Sequence, residues 1–237
     1  IQPPEEWLDR VKQREPTIDE KRAKLVALIE HMDFGIGRVL QALKEAGLEN
    51  DTVVLFTSDN GGQLNVGATN GPHRKGKGSL YEGGIAVPMC IKWPGKITPG
   101  STSDRIGLTM DVMPTFFAAA NIPIQHKIEG ESFLPTVLGE EQPPSSRDLF
   151  WGRREGRECP TCNFPVAGTI YAMRRGDWKL LQPHPETPFE LYNLADDPLE
   201  ENNLAESEPE KFKELHEALM AQLEKYEKVP WQPPEYR

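Results

Sequence analysis

The chain has 237 residues, a formal net charge of −10 and three cysteines. This acidic balance argues against nucleic acid or an anionic membrane surface as a partner, and no apolar run is long enough to span a bilayer. The length allows one large domain or two smaller ones, with a core that needs no disulfide framework.

A long amphipathic helix is predicted over residues 19–46, after a proline-containing segment at residues 1–16 that should be mostly extended. Apolar residues recur at helical spacing. They are Leu25, Leu28, Ile29, Met32, Ile36, Val39, Leu40 and Leu43. Gly47 suits the C-cap position. We interpret this helix as half of a βαβ unit, because a buried strand is predicted directly after it.

Residues 52–93 combine a strand pattern with side chains suited to ligand binding. The apolar run at residues 53–56 predicts a strand that is buried on both faces. Asp59 and Asn60 follow it directly. Carboxylate and amide oxygens suit Ca²⁺ or Mg²⁺, and the carboxyl end of a strand is where an open α/β sheet binds ligands. An Asp-Asn-Gly sequence is also typical of an ordinary turn.

A basic, glycine-rich segment follows at residues 71–78, and it contains His73, Arg74, Lys75 and Lys77. Cationic side chains beside exposed backbone N–H groups would hold an oxyanion, although a loop of this composition is commonly just solvated. Residues 85–93 then predict a second strand, in which Cys90 should be a core residue.

The C-terminal part of the chain predicts a small antiparallel sheet and a final helix. A polar segment with two prolines at residues 139–146 marks a boundary, so we predict domains at residues 1–140 and 141–237. Short apolar runs beyond it indicate strands, with a tight turn at residues 175–177. The final helix should carry one apolar stripe and begin with a capping box formed by Ser207 and Glu210.

Two further features need an interpretation. Asp111 is predicted to cap a short helix that ends near residue 120. Cys159 and Cys162 form a CxxC pair, but no second Cys/His pair completes a zinc site and no βαβ pattern surrounds the pair. This favours a loop disulfide or two free thiols.

Several segments, in the right order, resemble the formylglycine-dependent sulfatases of the alkaline-phosphatase superfamily. They are SDNGG, GKGSLYEGG running into VPMCIKWPG, MRRGDWKLL and FELYNLADDPLEENNLA. The resemblance covers nearly the whole chain and corresponds to the C-terminal half of the family. It implies an α/β fold with part of a mostly parallel sheet flanked by helices, plus a small C-terminal antiparallel sheet packed with a helix.

The resemblance also implies a reaction and a set of site residues. The family hydrolyses sulfate esters with a divalent cation, for which Ca²⁺ is expected and Mg²⁺ is the alternative. Asp59 and Asn60 match two of its metal ligands. Lys77 matches the lysine that binds sulfate and stabilises the leaving oxygen, and is therefore the catalytic candidate. His73 is a further candidate for substrate contact, whereas Arg74 and Lys75 should be solvated and Asp111 structural.

The formylglycine of the family is made from the Cys or Ser of a C/S-x-P-x-R motif, which this sequence lacks. The resemblance places formylglycine and the other metal ligands in an absent N-terminal half. The chain is therefore expected to be a fragment that needs that half as its partner and is inactive alone. The expected substrate is a sulfated small molecule or carbohydrate, and the expected compartment is periplasmic, lysosomal or secreted.

Two other functions remain open from the sequence. A related phosphodiesterase or phosphonate hydrolase shares the metal geometry, although Lys77 and the glycine turn after Glu82 favour sulfate. The chain would otherwise be a non-catalytic half that only binds a partner, and a large exposed apolar patch would support that function.

Overall fold

The computed structural model describes residues 1–155 and 168–227. The chain divides into two compact units, of which the first comprises Ile1–His31, Ser58–Val87 and Ser146–Arg237 and the second Met32–Thr57 and Pro88–Ser145. The predicted domain division after residue 140 stays a prediction. Within the described ranges, none of the helices combines the length and the apolar character that a membrane crossing requires.

Two helices open the chain. Helix α1 spans Glu5–Arg14, so the prediction that residues 1–16 are mostly extended was wrong. Its buried residues Trp7 and Val11 lie one turn apart and pack against Ala23 and Ala27 in the first turns of the next helix. Small residues at those positions let the two backbones approach, which explains why α1 forms although its flanking segment is rich in proline.

Helix α2 spans Glu20–Glu45 and confirms the predicted long helix. Gly47 has a φ of +70°, the left-handed conformation that favours glycine. The N–H of Gly47 donates to the carbonyl of Lys44 at 3.0 Å, and the N–H of Leu48 donates to that of Leu43 at 2.9 Å. These two bonds are the Schellman motif, so the predicted C-cap is confirmed.

The sheet of the second unit has two strands, β1 (Val54–Thr57) and β2 (Met89–Lys92), which pair antiparallel with Val54 opposite Lys92. The mixed α/β class is confirmed, whereas the parallel strand pairing that was expected is not found among the described residues, whose strands all pair antiparallel. Burial of β1 on both faces was a wrong prediction, because Phe56 is 41% exposed. Its cross-strand partner Cys90 is also exposed rather than a core residue.

The second strand begins later than predicted. Residues Glu82–Ile85 form the short helix α3 instead, because the Gly84 N–H donates to the carbonyl of Tyr81 and the Ala86 N–H to that of Glu82. Pro88 then has no N–H to donate to a strand ladder. Its carbonyl accepts a hydrogen bond from the Thr57 hydroxyl at 3.0 Å, and pairing starts at Met89.

The rest of the second unit is built around Asp111. Helices α4 (Val112–Ala119) and α5 (Leu134–Val137) follow one another along the chain. The buried Asp111 carboxylate accepts hydrogen bonds from the backbone N–H groups of Leu108 and Glu131, both at 2.8 Å. Both oxygens of this carboxylate join two loops, which agrees with its predicted structural role, but the prediction that Asp111 caps the following helix was wrong, because its side chain makes no capping hydrogen bond to α4.

The C-terminal sheet is an antiparallel meander of β3 (Leu149–Glu155), β4 (Gly168–Arg175), β5 (Trp178–Leu181) and β6 (Glu190–Asn193), as predicted. One face packs against Leu80 and Tyr81 of the preceding loop. The other face packs against the apolar stripe of helix α6 (Pro209–Glu227). The loop at residues 58–87 therefore rests on one side of this sheet.

Two details of the C-terminal prediction need comment. The capping box was a wrong prediction, because α6 begins at Pro209 and the Ser207 hydroxyl donates to the carbonyl of Leu204 at 3.4 Å. Proline suits the first position of a helix, where an N–H has no partner in any case. The CxxC pair, Cys159 and Cys162, lies outside the described residues.

Candidate functional site

The loop at residues 58–87 is folded back on itself by backbone hydrogen bonds. The N–H of Gly61 donates to the carbonyl of Gly84 at 2.9 Å, and the N–H of Lys77 donates to the carbonyl of Gly62 at 3.0 Å. The Gly83 N–H donates to the carbonyl of Arg74 at 3.0 Å. The Asp-Asn turn, the basic segment and helix α3 are thus three hydrogen-bonded parts of one compact loop.

Asn70 holds the centre of this loop. Its side-chain oxygen accepts from the Gly62 N–H at 2.6 Å, and its side-chain nitrogen donates to the carbonyls of Gly62 and Lys75 at 3.2 and 2.9 Å. The sequence analysis missed this residue, because an asparagine in a loop is commonly solvated. The amide side chain here takes the place of a backbone segment in bridging the two arms of the loop.

The glycines of the loop allow its arms to touch backbone to backbone. A Cβ atom built on Gly61 would overlap the carbonyl of Gly83, and one on Gly84 would overlap that of Ser79. The same is true of Gly76 against the carbonyl of Gly62. The glycine-rich composition therefore reflects close backbone packing, in addition to any exposed N–H groups that an anion would use.

The three side chains with the strongest predicted roles lie on this rigid backbone and are not used by the fold. Asp59 and Lys77 are exposed and Asn60 is half-buried. Among the described residues, none of these three side chains makes a hydrogen bond or an ion pair. The Lys77 backbone is hydrogen-bonded to Gly62, only two residues beyond Asn60. The loop thus brings the backbone of Lys77 close to the segment that carries Asp59 and Asn60.

Residues 1–155 and 168–227 contain no group of three or more histidine, cysteine, aspartate or glutamate side chains able to hold a metal ion. Asp59 and Asn60 are together a pair of oxygen ligands, whereas Ca²⁺ takes about six to eight. The donor chemistry fits a hard divalent cation, but the described residues supply only part of a coordination shell.

His73 is half-buried, and its ring Nδ1 is buried without a hydrogen-bond partner among the described residues. Its backbone N–H donates to the carbonyl of Asn70 at 3.2 Å. Its role in substrate contact stays a prediction. Lys75 is exposed with a φ of +63°, which agrees with a solvated turn position.

The prediction that Arg74 is solvated was wrong. Its guanidinium lies 4.3 Å from the centroid of the Tyr81 ring and donates to the Tyr192 hydroxyl at 3.1 Å and to the carbonyl of Glu200 at 2.5 Å. Both tyrosine hydroxyls donate to the Glu190 carboxylate. Burial raises the pKa of each tyrosine, so both remain protonated donors. Arg74 therefore fastens the basic segment to the C-terminal sheet.

A buried ionic cluster, which the sequence analysis also missed, lies beside it. Lys179 of β5 has a fully buried side chain, and its Nζ lies 2.7 Å from an oxygen of Glu82 and 2.7 Å from an oxygen of Glu200. The second Glu82 oxygen lies 3.8 Å from the guanidinium of Arg174. Burial, which outweighs the attraction of Lys179, raises the pKa of Glu200 above its ordinary value. In the sequence, the sign of this cluster is that Lys179 lies within the apolar run of β5.

Comparison with known sequences identifies the family. Residues 2–122 match the family described as "Sulfatase", and residues 74–229 match "N-sulphoglucosamine sulphohydrolase, C-terminal". The steryl-sulfatase of Mus musculus is 39% identical over 132 residues, covering 52% of this chain and 21% of that protein. A sulfatase of Formosa agariphila is 33% identical over 208 residues, covering 79% of this chain and 36% of that protein.

Several solved structures share the fold of this chain. The crystal structure of Ps i-CgsB in complex with k-i-k-neocarrahexaose has a TM-score of 0.80 at 26% identity, and covers 98% of this chain and 48% of that one. BT4656 in complex with its substrate D-glucosamine-2-N,6-O-disulfate has a TM-score of 0.69 at 27% identity, and the match covers 88% of this chain and 41% of that one. The phosphonate monoester hydrolase of Agrobacterium radiobacter has a TM-score of 0.64 at 26% identity, and the match covers 85% of this chain and 41% of that one.

The chain spans less than half the length of each of these relatives and solved structures. The sulfatase match covers the predicted metal ligands and Lys77, and the second match continues through the C-terminal sheet and α6. The expected alkaline-phosphatase-like α/β fold is confirmed by the structural neighbours. This chain belongs to the sulfatase family, and its C-terminal half has the fold of the family's C-terminal segment.

Proposed function

We propose that this chain forms part of the active site of a sulfuric ester hydrolase. Asp59 and Asn60 supply two oxygen ligands to a divalent cation, and Lys77 binds the sulfate group. The observation that carries the proposal is the contrast between a backbone fixed by hydrogen bonds and three side chains that the fold leaves unused. Unused polar side chains on a rigid loop are pre-organised for a ligand, since little ordering remains to be done on binding.

The cation is proposed to be Ca²⁺, with Mg²⁺ as the alternative. Ca²⁺ accepts carboxylate and amide oxygens in flexible geometry, which suits an exposed Asp59 and a half-buried Asn60. The remaining ligands would come from residues outside this chain. A formylglycine in the preceding half would supply the nucleophile. Within this chain, the Lys77 ammonium would neutralise the sulfate and stabilise charge on the leaving oxygen.

The preceding half of the same protein is the proposed partner, and the second unit has a surface that it would cover. All three hydrophobic clusters found among the described residues lie in the first unit. The second unit instead has large exposed apolar side chains, namely Met32, Phe34, Val39, Leu48, Phe56, Met89, Ile106, Met110, Met113, Phe116 and Ile122. Within the described ranges, β1 and β2 pair only with each other. Covering such side chains would be favourable, because it removes apolar surface from water.

A pair of matched substitutions tests that surface. Val39 on α2 is 62% exposed and Met220 on α6 is 37% exposed. In the natural full-length protein, Val39→Glu should lower the melting temperature markedly, because the preceding half would bury the new charge. Met220→Glu should leave it nearly unchanged. Thermal unfolding followed by circular dichroism gives the answer, and an equal response of the two variants would remove the support for a covered surface.

The substrate is proposed to be a sulfated carbohydrate. BT4656, a similar structure, was solved with a glucosamine disulfate as its substrate. Similarity to a phosphonate monoester hydrolase keeps phosphoryl and phosphonyl esters as the alternative. The compartment is proposed to be periplasmic, lysosomal or secreted, and this chain alone is proposed to be inactive.

Parallel assays on the natural full-length protein with Ca²⁺ distinguish these substrates. A nitrophenyl sulfate, a nitrophenyl phosphate and a phenylphosphonate monoester are compared at equal concentration. The proposal predicts the highest kcat/KM on the sulfate ester and loss of activity on addition of a chelator. A preference for either phosphorus ester would assign the site to the alternative class, and no hydrolysis of any ester would support a binding role.

A further inference from the structure

Helix α3 is the point where the candidate site meets the C-terminal sheet. Its first residue, Glu82, has its carboxylate 2.7 Å from the ammonium of Lys179 on β5. Its backbone N–H donates to the other partner of that lysine, the Glu200 carboxylate, at 2.7 Å. Glu200 thus binds Lys179, which also pairs with the Glu82 carboxylate, and it accepts the backbone N–H of Glu82. All of these groups belong to the first compact unit.

The cluster is held together by the cost of separating its charges. Lys179 and Glu200 have fully buried side chains, and Glu82 is 13% exposed. A buried charge is tolerated only when it is paired and hydrogen-bonded. Glu200 also has a φ of +58°, which a residue with a side chain rarely adopts. A residue keeps such a backbone conformation where its contacts enforce it, and here the contacts are to Lys179 and Glu82.

Two hydrogen bonds lead from α3 to the unused side chains. The Gly84 carbonyl accepts from Gly61, the residue directly after Asn60. The Gly83 N–H donates to the carbonyl of Arg74, whose side chain donates to the backbone carbonyl of Glu200. A shift of α3 would therefore move the Asp59–Asn60 turn through the first bond. It would move the segment before Lys77 through the second.

We propose that Lys179 and Glu200 are positioning residues for this site. Neither touches the candidate ligands. Each acts through α3, so that the C-terminal sheet sets the placement of Asp59, Asn60 and Lys77. The effect on hydrolysis rests on the proposed function, whereas the mechanical coupling between the cluster and the loop does not.

The test compares two cations of the same sheet in the natural full-length protein. Lys179→Met removes the ammonium and keeps an unbranched side chain. Arg175→Met is the control, because Arg175 pairs with Asp148 and Glu214 and makes no hydrogen bond or ion pair to the loop among the described residues. Glu200→Gln is a milder second variant, since an amide oxygen still accepts the Glu82 N–H. It keeps the test valid should Lys179→Met not fold.

The first readout is backbone hydrogen exchange. In Lys179→Met and Glu200→Gln, the amides of Gly61, Lys77 and Gly83 should exchange faster by on the order of tenfold under conditions where they open locally, and the amides of strands β3 and β4 report any loss of global stability separately. Arg175→Met should leave the three loop amides unchanged. Equal acceleration in the control, or none in either cluster variant, would overturn the coupling.

The second readout is kinetic, at a temperature where every variant is folded. Loss of positioning should lower kcat/KM on a sulfate ester by on the order of 100-fold in Lys179→Met, because a small misplacement of binding groups has an effect of that size. It should also raise the Ca²⁺ concentration needed for half-maximal rate, and Arg175→Met should change neither. The cluster variants could exchange faster in the loop alone while the wild-type protein hydrolyses no sulfate ester. That outcome would support the coupling and refute the proposed function. Selective exchange with unchanged kinetics and Ca²⁺ dependence in an active enzyme would overturn the positioning role.

Discussion

Replacing Gly61 with alanine should lower the free energy of unfolding by about 3 kcal/mol, the upper part of the range for an overpacked site. The new methyl group would overlap the carbonyl of Gly83, a backbone atom that cannot rotate away. Relief requires the Asp59–Asn60 turn to move off α3, which breaks the hydrogen bond from Gly61 to Gly84. The effect should be measured by urea unfolding of the full-length protein, with sulfate-ester hydrolysis measured on the same preparations.

The matched control is the same substitution at Gly152, inside β3. Among the described residues, a Cβ built there meets only the Tyr171 ring, at an ordinary contact distance of 3.5 Å, so Gly152→Ala should raise stability by about 0.5–1 kcal/mol, the usual gain on replacing a glycine inside a strand. One chemical change is thus predicted to have opposite signs at two sites. A loss at Gly152 as large as that at Gly61 would contradict the backbone contact as the cause.

Lys179→Met should lower the free energy of unfolding by about 3–5 kcal/mol, the usual result of removing one partner from a buried ion pair. The variant leaves the carboxylates of Glu82 and Glu200 facing one another without the ammonium that lies 2.7 Å from each. Arg174 compensates little, because its guanidinium is 3.8 Å from Glu82. Urea unfolding near neutral pH measures the loss.

A neutral triple variant separates charge from packing. Combining Lys179→Met with Glu82→Gln and Glu200→Gln removes the uncompensated charges while keeping the shapes, so it should recover a substantial part of the lost stability. A triple variant as unstable as the single one would show that the aliphatic part of Lys179, rather than its charge, stabilises the cluster.

The sequence predicted elements whose pattern is local. The long helix α2 with its cap at Gly47 and the antiparallel meander that ends with α6 all follow from spacing within a few residues. The same is true of the turn that presents Asp59 and Asn60 directly after β1. Family resemblance then assigned Lys77, because a lone lysine in a basic loop carries no signal by itself.

The network behind the site could not be predicted, because its partners are far apart in the chain. Lys179 and Glu82 are separated by 97 residues, and Arg74 and Glu200 by 126. Composition indicates that a charged residue prefers solvent, and only the fold shows which ones have buried partners. The exposure of Phe56 and Cys90 is a different case, since an apolar strand indicates burial without showing which polypeptide covers it.

The most direct test of a sulfate-ester site in this loop is the effect of Lys77→Ala on hydrolysis of a sulfate ester by the full-length protein. The proposal predicts a loss of about 100- to 1,000-fold in kcat, as for removal of one group that stabilises transition-state charge. Lys75→Ala, an exposed neighbour in the same loop, should retain nearly wild-type activity. An unchanged rate in Lys77→Ala, or an equal loss in both variants, would contradict the proposal.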